Sequence, residues 1–546
     1  MAKVITPKEA AELFQDNMVI ASATFGLAGW PEEVSLALVK RYDETGKPRG
    51  LTQMNAAGIG NWGGGPARGT RGMLGDPPQR AERGLGAWIR EDYGLLTRCI
   101  SSHMGSSPAL LKAVSENKMM GYNLPLGTML QVWREAGRNM PGAMTKTGLG
   151  TFIDPRNEGG KLNALTQEKG EDLVAYIPDF FGEEYLFYKV PRIDIGIMRG
   201  TTADENGNIT CEKESHNLEM LAVAQTAKAH GGIVIVQVET LAKAGTLNPK
   251  LVKVPGIYVD YIVVAQEPEE IMQTQGTKYN RAFTGEAKVS LASSMQPLPF
   301  DHEKVLVRRA TKEIKPGYKC NFGIGVPTFT GSVLNEEGVG HSITMISESG
   351  SIGGTPGVAL DFGAHWNVEA SCDQGEHFSF FDGGGLDLGI FGLSEVDKDG
   401  NVNTSLLNGK IMGVGGFANI SATAKHAVFA GTFTAGGLEC EVVDGKMVIK
   451  TEGKFKKFVE SCPQLTFNAD QSLKRGNSII YITERCVIRR TEKGMILEEI
   501  APGIDLQTQV LDQMGFKPII PEGGPKLMDP EIFHPTWGKL KAYMGL

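Results

Sequence analysis

The feature that most constrains this chain is an internal repeat. Three segments of its first half resemble three segments of its second half, and the pairs occur in the same order. The pairs are 25–33 with 322–330, 203–210 with 396–403, and 225–236 with 422–433. Self-similarity in a fixed order indicates repeated structural units. We therefore expect two related halves, and each is long enough to bury a core of its own.

Strand and helix signals alternate along both halves. The run 232–238 is apolar at successive positions, which is typical of a strand covered on both faces. The predicted strands are 232–238, 257–265, 342–347 and 478–483, the predicted helices include 106–119 and 217–230, and residues 1–14 are predicted to begin an amphipathic helix. Such alternation predicts an α/β fold with two related open domains and largely parallel sheets.

The domain bounds follow from composition. We expect a first domain over 1–295 and a second over 300–520, because 293–304 is polar and holds two prolines. The first domain carries an insertion at about 45–160 that the second lacks. Residues 521–546 are rich in Pro, Gly and charge, and are predicted to form a tail on the surface.

Composition excludes several functions. The net charge is -8, so the chain lacks the basic footprint of a nucleic-acid binder. The seven cysteines are scattered without a CxxC pair, which argues against a zinc ribbon and favours a reducing compartment. The longest apolar runs are far shorter than a membrane span. We expect a soluble, cytoplasmic protein that has no membrane or nucleic-acid partner.

Two motifs are better explained as turns than as ligand sites. Residues 58–63 match GxGxxG, but the glycine-rich stretch 58–75 does not begin a helix, so a loop is favoured over a dinucleotide site. Residues 204–208 and 397–401 are Asp- and Asn-rich but lack the spacing of a calcium loop. We interpret them as hairpin turns and predict no metal site.

The sharpest candidate is Glu348, within 341–357. A predicted strand ends at this residue and small residues follow it. In open α/β sheets, ligands bind beyond the carboxyl ends of strands. A carboxylate there can attack an activated acyl group, and the neighbouring glycines let a bulky substrate approach. The alternatives are a solvated turn residue or a helix-capping acid.

Glycine-rich turns supply further candidates. Gly413, Gly415 and Gly416 could present backbone N–H groups to an oxyanion, or could form a tight strand-to-helix turn. The paired turns 24–33 and 321–329 could present N–H groups to a ligand. His103 and His341 are either pocket residues or structural histidines.

Taken together, these stretches resemble the family I CoA-transferases, and in particular the single-chain propionate or acetate CoA-transferases. The resemblance runs from about residue 3 to residue 535. The segments that carry it are 25–33, 148–156, 253–265, 321–329, 347–354, 381–397, 413–421 and 481–487.

The resemblance implies ping-pong transfer of coenzyme A between a short-chain acyl-CoA and a carboxylate of the acetate or propionate type. It implies that Glu348 is the nucleophile, with Gly415 and Gly416 as oxyanion donors. It implies no permanently bound cofactor, since CoA is a substrate and part of a covalent intermediate, and it implies a homotetramer or homodimer. The residues expected to contact substrate or CoA are Gly26, Gly29, Leu126, Gly323, Gly325, Ser349, Gly350, Gly413, Lys454 and Lys457. For the two lysines, a solvated charge run is an equal alternative.

The sequence also departs from its relatives. Relatives often carry Gln in a YNLPQG motif, where this chain has Leu126, so a larger or more apolar acid is an alternative substrate. The segment 61–88 is longer than in relatives. Two other functions stay open: an acyl-CoA hydrolase that uses the same glutamate, and a non-catalytic sensor of CoA or a phosphosugar, which would be expected to lack Glu348.

Overall fold

A computed structural model describes residues 2–62, 82–290, 297–407 and 409–546. It contains two eight-stranded sheets with helices packed against them. The first sheet comprises β1 (Lys3–Ile5), β2 (Val19–Ser22), β3 (Leu51–Asn55), β4 (Leu96–Ser101), β5 (Met120–Asn123), β6 (Ile195–Arg199), β7 (Ile233–Val238) and β8 (Tyr261–Val264). The second comprises β9 (Lys319–Phe322), β10 (Thr344–Met345), β11 (Leu388–Gly392), β12 (His426–Ala430), β13 (Ser478–Ile482), β14 (Cys486–Thr491), β15 (Gly494–Ile500) and β16 (Lys526–Leu527). The described helices are α1 (Pro7–Glu12), α2 (Glu32–Thr45), α3 (Pro108–Ser115), α4 (Leu126–Gly137), α5 (Ala164–Lys169), α6 (Met220–Ala229), α7 (His302–Thr311), α8 (Thr330–Glu336), α9 (Gln374–Asp382), α10 (Phe417–Thr423), α11 (Ala469–Lys474), α12 (Leu506–Gln509) and α13 (Leu540–Tyr543).

The sheet topology confirms the predicted α/β fold and its two related halves. The first sheet has the order β1-β8-β7-β6-β2-β3-β4-β5 and is parallel throughout. The second has the order β10-β9-β11-β12-β13-β14-β15-β16, and its first five strands are parallel. The strands β8-β7-β6-β2-β3 therefore follow the same spatial order as β13-β12-β11-β9-β10. The domain bounds themselves remain a prediction.

The central strands explain the apolar runs in the sequence. Residues 233–237 of β7 pair with β6 on one side, and residues 235–238 pair with β8 on the other. All of β7 after Ile233 is buried, as expected for a parallel strand covered on both faces. The predicted hairpin turns are also present, because 202–204 pairs with 209–210 and 395–396 with 402–403 in antiparallel fashion.

Several predicted elements differ in extent, and the helix predicted at 106–119 covers only Pro108–Ser115. The run 257–265 contributes only Tyr261–Val264, and 342–347 contributes only Thr344–Met345. The N-terminus begins as an edge strand, Lys3–Ile5, before α1. The change occurs at Thr6, whose hydroxyl accepts from the Glu9 N–H while the Glu9 carboxylate accepts from the Thr6 N–H. This capping box, with Pro7 as the first helical residue, fixes where the helix starts.

The insertion and the C-terminal segment both add to the sheets. The insertion supplies β4 and β5 at one edge of the first sheet, and its strand Gly142–Thr145 forms a three-stranded antiparallel sheet with the following strands Val174–Phe180 and Glu183–Lys189. Most of the glycine-rich stretch 58–75 lies outside the described residues, which resume at residue 82. The C-terminal segment was expected on the surface, but Ile532, Phe533 and Leu540 are buried in the second core.

Helices of the two halves pack against each other and are joined by hydrogen bonds. The Gly127 N–H in α4 donates to Asn419 Oδ1 in α10 at 3.0 Å. Asp382 accepts from Asn419 Nδ2 at 2.9 Å and from Gln131 Nε2 at 2.7 Å. A Cβ at position 127 would lie 2.2 Å from Phe378 Cδ1, so only glycine permits this approach. In the described part of the chain, no helix is long and apolar enough to cross a membrane.

Candidate active site

A cavity of about 310 Å³ lies between the two halves. Its walls come from the turns that follow β2, β3, β4, β9, β10 and β11, so it opens at the carboxyl ends of parallel strands, as expected for an α/β fold. The lining is mostly apolar and aromatic, and includes Phe25, Trp62, Phe362, Phe391 and Phe417. Of the described residues that line it, Glu348 alone carries a carboxylate, and no lysine or arginine is among them.

The turn that carries Glu348 is held from several sides. The Ser347 N–H donates to the Ser351 carbonyl at 3.0 Å. The hydroxyls of Ser347 and Ser349 contact the carbonyl oxygen of Gly363 at 2.8 and 2.6 Å. Gln374 Nε2 donates to the Glu348 carbonyl at 3.0 Å. The backbone of the predicted nucleophile is therefore fixed while its side chain faces the cavity.

Burial changes the acidity of this carboxyl group. It raises the pKa of Glu348 from its ordinary value of 4.5 to about 7, because the cavity solvates the carboxylate poorly. A hydrogen bond from the Gly416 N–H acts in the opposite direction and favours the ionised form. A carboxylate that has lost its water shell is a stronger nucleophile, which suits the predicted chemistry.

The two predicted oxyanion donors behave differently. The Gly416 N–H contacts the Glu348 carboxylate, and a Cβ at position 416 would lie 2.0 Å from Glu348 Oε2. The Gly415 N–H instead donates to the Ser102 carbonyl at 2.8 Å. The Gly415 N–H is therefore engaged by the first half and does not contact the carboxylate, and its predicted role as an oxyanion donor stays a prediction.

The remaining predicted residues divide into two groups. Gly26, Leu126, Gly323, Gly325 and Gly413 line the cavity. The residues that are not part of the lining are Gly29, Ser349, Gly350, Lys454 and Lys457.

The second group has other structural roles. Gly29 turns the chain with a φ of 72°, Ser349 bonds within its own turn, and a Cβ at Gly350 would lie 2.5 Å from the Cys372 carbonyl oxygen. Lys457 Nζ donates to the Leu393 carbonyl at 3.0 Å and to Thr432 Oγ1 at 3.1 Å, and burial lowers the pKa of this lysine to about 8. Its predicted contact with a CoA phosphate, like that of the exposed Lys454, stays a prediction.

Several lining residues were not predicted from the sequence. Trp62, Gln275 and Met412 lie in irregular segments where no periodicity marks them. A hydrogen bond from the Trp62 indole to Gln275 joins residues more than two hundred positions apart, so no local pattern could reveal it. The sequence left open whether His103 is a pocket residue or a structural histidine, and the structure places it in the cavity lining.

Comparison with known proteins identifies the family. Residues 81–265 match the family described as Coenzyme A transferase. The chain is 44% identical to caffeate CoA-transferase of Acetobacterium woodii, with 100% of both chains covered. It is 38% identical to acetate CoA-transferase YdiF of Escherichia coli K12, over 97% of this chain and 95% of that protein. The chain belongs to the coenzyme A transferase family.

A solved structure extends the likeness to the fold. Acyl-CoA transferase YdiF of E. coli O157:H7, crystallised as a thioester complex with CoA, superposes with a TM-score of 0.88 at 36% identity. The match covers 98% of this chain and 97% of that one. The present chain is thus a CoA-transferase that acts on an acyl-CoA and a carboxylate, and both of its halves share the architecture of that relative.

The contact between Gly416 and Glu348 gives a direct test. In Gly416→Ala the new Cβ would displace the carboxylate, and we expect kcat/KM to fall about 100-fold, the usual effect of misplacing a reacting group by about 1 Å. The neighbouring Gly415→Ala is the control, because its Cβ would meet no atom within 4 Å. Its φ of 54° costs roughly 1–2 kcal/mol of stability but leaves Glu348 in place. Equal losses of activity in the two variants would contradict this explanation.

Proposed function

We propose that the enzyme transfers CoA by a ping-pong mechanism in which Glu348 is the nucleophile. The observation that carries the proposal is the buried Glu348 carboxylate, the one carboxylate among the described lining residues, whose backbone is fixed and whose side chain faces a largely apolar cavity between the two halves. The likeness to a relative crystallised as a thioester with CoA supports it. CoA itself is a substrate here, so the mechanism needs no permanently bound cofactor.

The first half-reaction has two steps. A Glu348 carboxylate oxygen attacks the carbonyl carbon of the acyl-CoA thioester, the C–S bond breaks, and CoA leaves as a thiolate, which gives an acyl–glutamyl anhydride. The thiolate then attacks the glutamyl carbonyl carbon and the anhydride C–O bond breaks. The first acid leaves as a carboxylate, and a glutamyl–CoA thioester remains on Glu348.

The second half-reaction reverses these steps with a second acid. Its carboxylate attacks the glutamyl thioester carbonyl and the CoA thiolate leaves. The thiolate attacks the acyl carbonyl of the new anhydride, which frees the Glu348 carboxylate and the new acyl-CoA. No net proton is consumed, and exchange of one thioester for another needs no ATP.

The surroundings of Glu348 suit this sequence. When the thiolate attacks the glutamyl carbonyl, negative charge grows on an oxygen of that group. The Gly416 N–H already contacts this carboxylate and can stabilise the charge without reorganisation. The apolar lining limits water, which would otherwise hydrolyse the anhydride.

Trapping the intermediate tests the nucleophile. After incubation with acetyl-CoA alone, wild-type enzyme should gain the mass of CoA on the peptide that contains Glu348, and borohydride should reduce that thioester. Glu348→Gln, which keeps the shape of the side chain, should gain no such mass and should lose transfer activity. A modification found on any other residue would overturn the assignment.

The same assay separates transfer from hydrolysis. A transferase should release little free CoA until a carboxylic acid is added. If CoA release is equally fast without an acceptor acid, the hydrolase alternative is correct and the transfer proposal fails.

The raised pKa of Glu348 predicts a pH dependence. The nucleophile must be ionised, so kcat/KM for acyl-CoA should be level above pH 7 and fall about tenfold for each pH unit below it. A carboxyl group at its ordinary pKa of 4.5 would instead keep the rate level down to about pH 5. Because kcat/KM reports the free enzyme, its profile measured between pH 5 and 9 distinguishes the two cases.

For the acid substrate we favour the larger, more apolar class over acetate or propionate. Leu126 places an aliphatic side chain in the cavity wall, and its N–H donates to the Gly415 carbonyl at 3.1 Å, beside the contact with Glu348. Aromatic side chains supply much of the remaining lining. The 44% identical relative is named for caffeate, an aromatic acid, which agrees with this choice.

Exchanging Leu126 tests the acid class. Wild-type enzyme should use 3-phenylpropionate with a higher kcat/KM than acetate, because the larger acid buries more apolar surface. Leu126→Gln should lower the ratio of these two constants by about tenfold, since the acyl group would then meet an amide that it cannot pair with. An unchanged ratio would show that Leu126 does not set the preference.

The homotetramer or homodimer remains a prediction that light scattering can check.

A further inference from the structure

One wall of the cavity is a pair of rings contributed by the first half. The rings of Trp62 and His103 lie 5.5 Å apart, centroid to centroid, and are inclined at 60°. Both residues line the cavity, next to Met412. The wall is joined to the catalytic turn, because His103 forms an isolated β-bridge with Gly413 and the adjacent Ser102 carbonyl accepts from the Gly415 N–H. Its position is therefore fixed relative to Gly416 and Glu348.

Trp62 is held in an unusual conformation. Its φ is 57°, a region that a bulky side chain rarely adopts and that is often retained at functional sites. Its N–H donates to the Ser106 carbonyl at 2.8 Å, and its indole N–H donates to Gln275 Oε1 at 3.1 Å. Gln275 Nε2 in turn donates to the Gly60 carbonyl at 3.1 Å. The indole is thus positioned before any ligand arrives, which reduces the entropy lost on binding.

His103 is the polar member of the wall. Burial lowers its pKa to about 4, so near neutral pH the ring is uncharged. A neutral imidazole offers one N–H donor and one acceptor nitrogen. Such a ring can pair with a hydroxyl group, which also donates and accepts, whereas it offers a negatively charged group no counter-charge.

The charge of the lining narrows the possible occupants. No lysine or arginine is among the described lining residues, so those residues offer the phosphorylated end of CoA no counter-ion. These residues likewise offer no counter-ion to the second carboxylate of a dicarboxylic acid. The uncharged groups that must reach Glu348 are the thiol end of CoA and the acyl group, and two rings suit a flat acyl group better than a flexible chain.

We propose that Trp62 and His103 form a specificity site for an aromatic acid that carries a ring hydroxyl. The aromatic ring packs against the Trp62 indole, and the hydroxyl hydrogen-bonds to a nitrogen of His103. This inference rests on the proposed function and adds to it two residues that select the acid. Neither residue takes part in bond making or breaking.

Two acceptor acids that differ by one hydroxyl test the proposal: 3-phenylpropionate and 3-(4-hydroxyphenyl)propionate, with acetyl-CoA as the donor. Wild-type enzyme should use the hydroxylated acid with a kcat/KM at least about tenfold higher, the factor that one net hydrogen bond contributes. His103→Phe keeps an aromatic ring but no polar atom, and should bring the ratio to within about twofold. His103→Gln restores a donor and an acceptor, and should recover part of the preference.

Matched variants separate this role from a structural one. His426 is another partly buried histidine stacked on an aromatic ring, that of Tyr318 at 5.8 Å, and it does not line the cavity. His426→Phe should therefore keep the wild-type ratio. Trp62→Leu should lower kcat/KM for both aromatic acids by about tenfold more than it does for acetate, because only the aromatic acids use the indole.

The outcomes distinguish the two proposals. If wild-type enzyme forms the thioester on Glu348 with acetyl-CoA but treats the two acids alike, the specificity site is wrong and the transfer mechanism stands. The same conclusion follows if His103→Phe keeps the full preference. If no thioester forms on Glu348 in wild-type enzyme, the transfer mechanism fails regardless of the acids.

Discussion

The arrangement of the site depends on one carboxylate, Glu348, which is buried in an apolar cavity between the two halves of the chain. Burial raises the pKa of Glu348 to about 7, and the Gly416 N–H offsets part of this effect. A carboxyl group with a higher pKa in the folded than in the unfolded state makes folding less favourable as the pH rises from 4.5 towards 7. In the proposed mechanism this cost has a benefit, because the cavity that desolvates Glu348 also limits access of water to the anhydride and thioester.

The cavity exists only while the two halves keep their relative position. Asn123, at the end of β5, is central to this arrangement. Its Nδ2 donates to the Ser101 and Ser102 carbonyls at 2.9 and 2.5 Å, and its Oδ1 accepts from the Val414 N–H at 3.0 Å. One buried amide thus connects the first sheet to the turn that contacts Glu348. Buried networks of this kind favour one arrangement, because a displaced member leaves unpaired polar groups.

The sequence predicted the parts of this protein that local patterns encode. The order of the repeats predicted the matching strand order, and the apolar run at 232–238 predicted β7. The glycines that follow a predicted strand indicated Glu348, which lines the cavity. Long-range partners are what the sequence did not reveal. Whether the Gly415 N–H is available depends on Ser102, and where Lys457 points depends on Leu393 and Thr432. Neither a sequence repeat nor a local secondary-structure propensity encodes such contacts between distant residues.

The repeat also explains why the two halves have different roles. The strands β3 and β10 occupy equivalent places in their sheets, so the turns that follow them are equivalent as well. The turn after β10 carries Glu348, whereas the turn after β3 carries Ala57 and Gly58. A Cβ at Gly58 would lie 2.6 Å from the His103 carbonyl oxygen and from Ser106 Oγ. Glycine is therefore required where the wall formed by Trp62 and His103 approaches the turn after β3. One copy of the fold therefore supplies the proposed nucleophile, and the other supplies the wall that faces it.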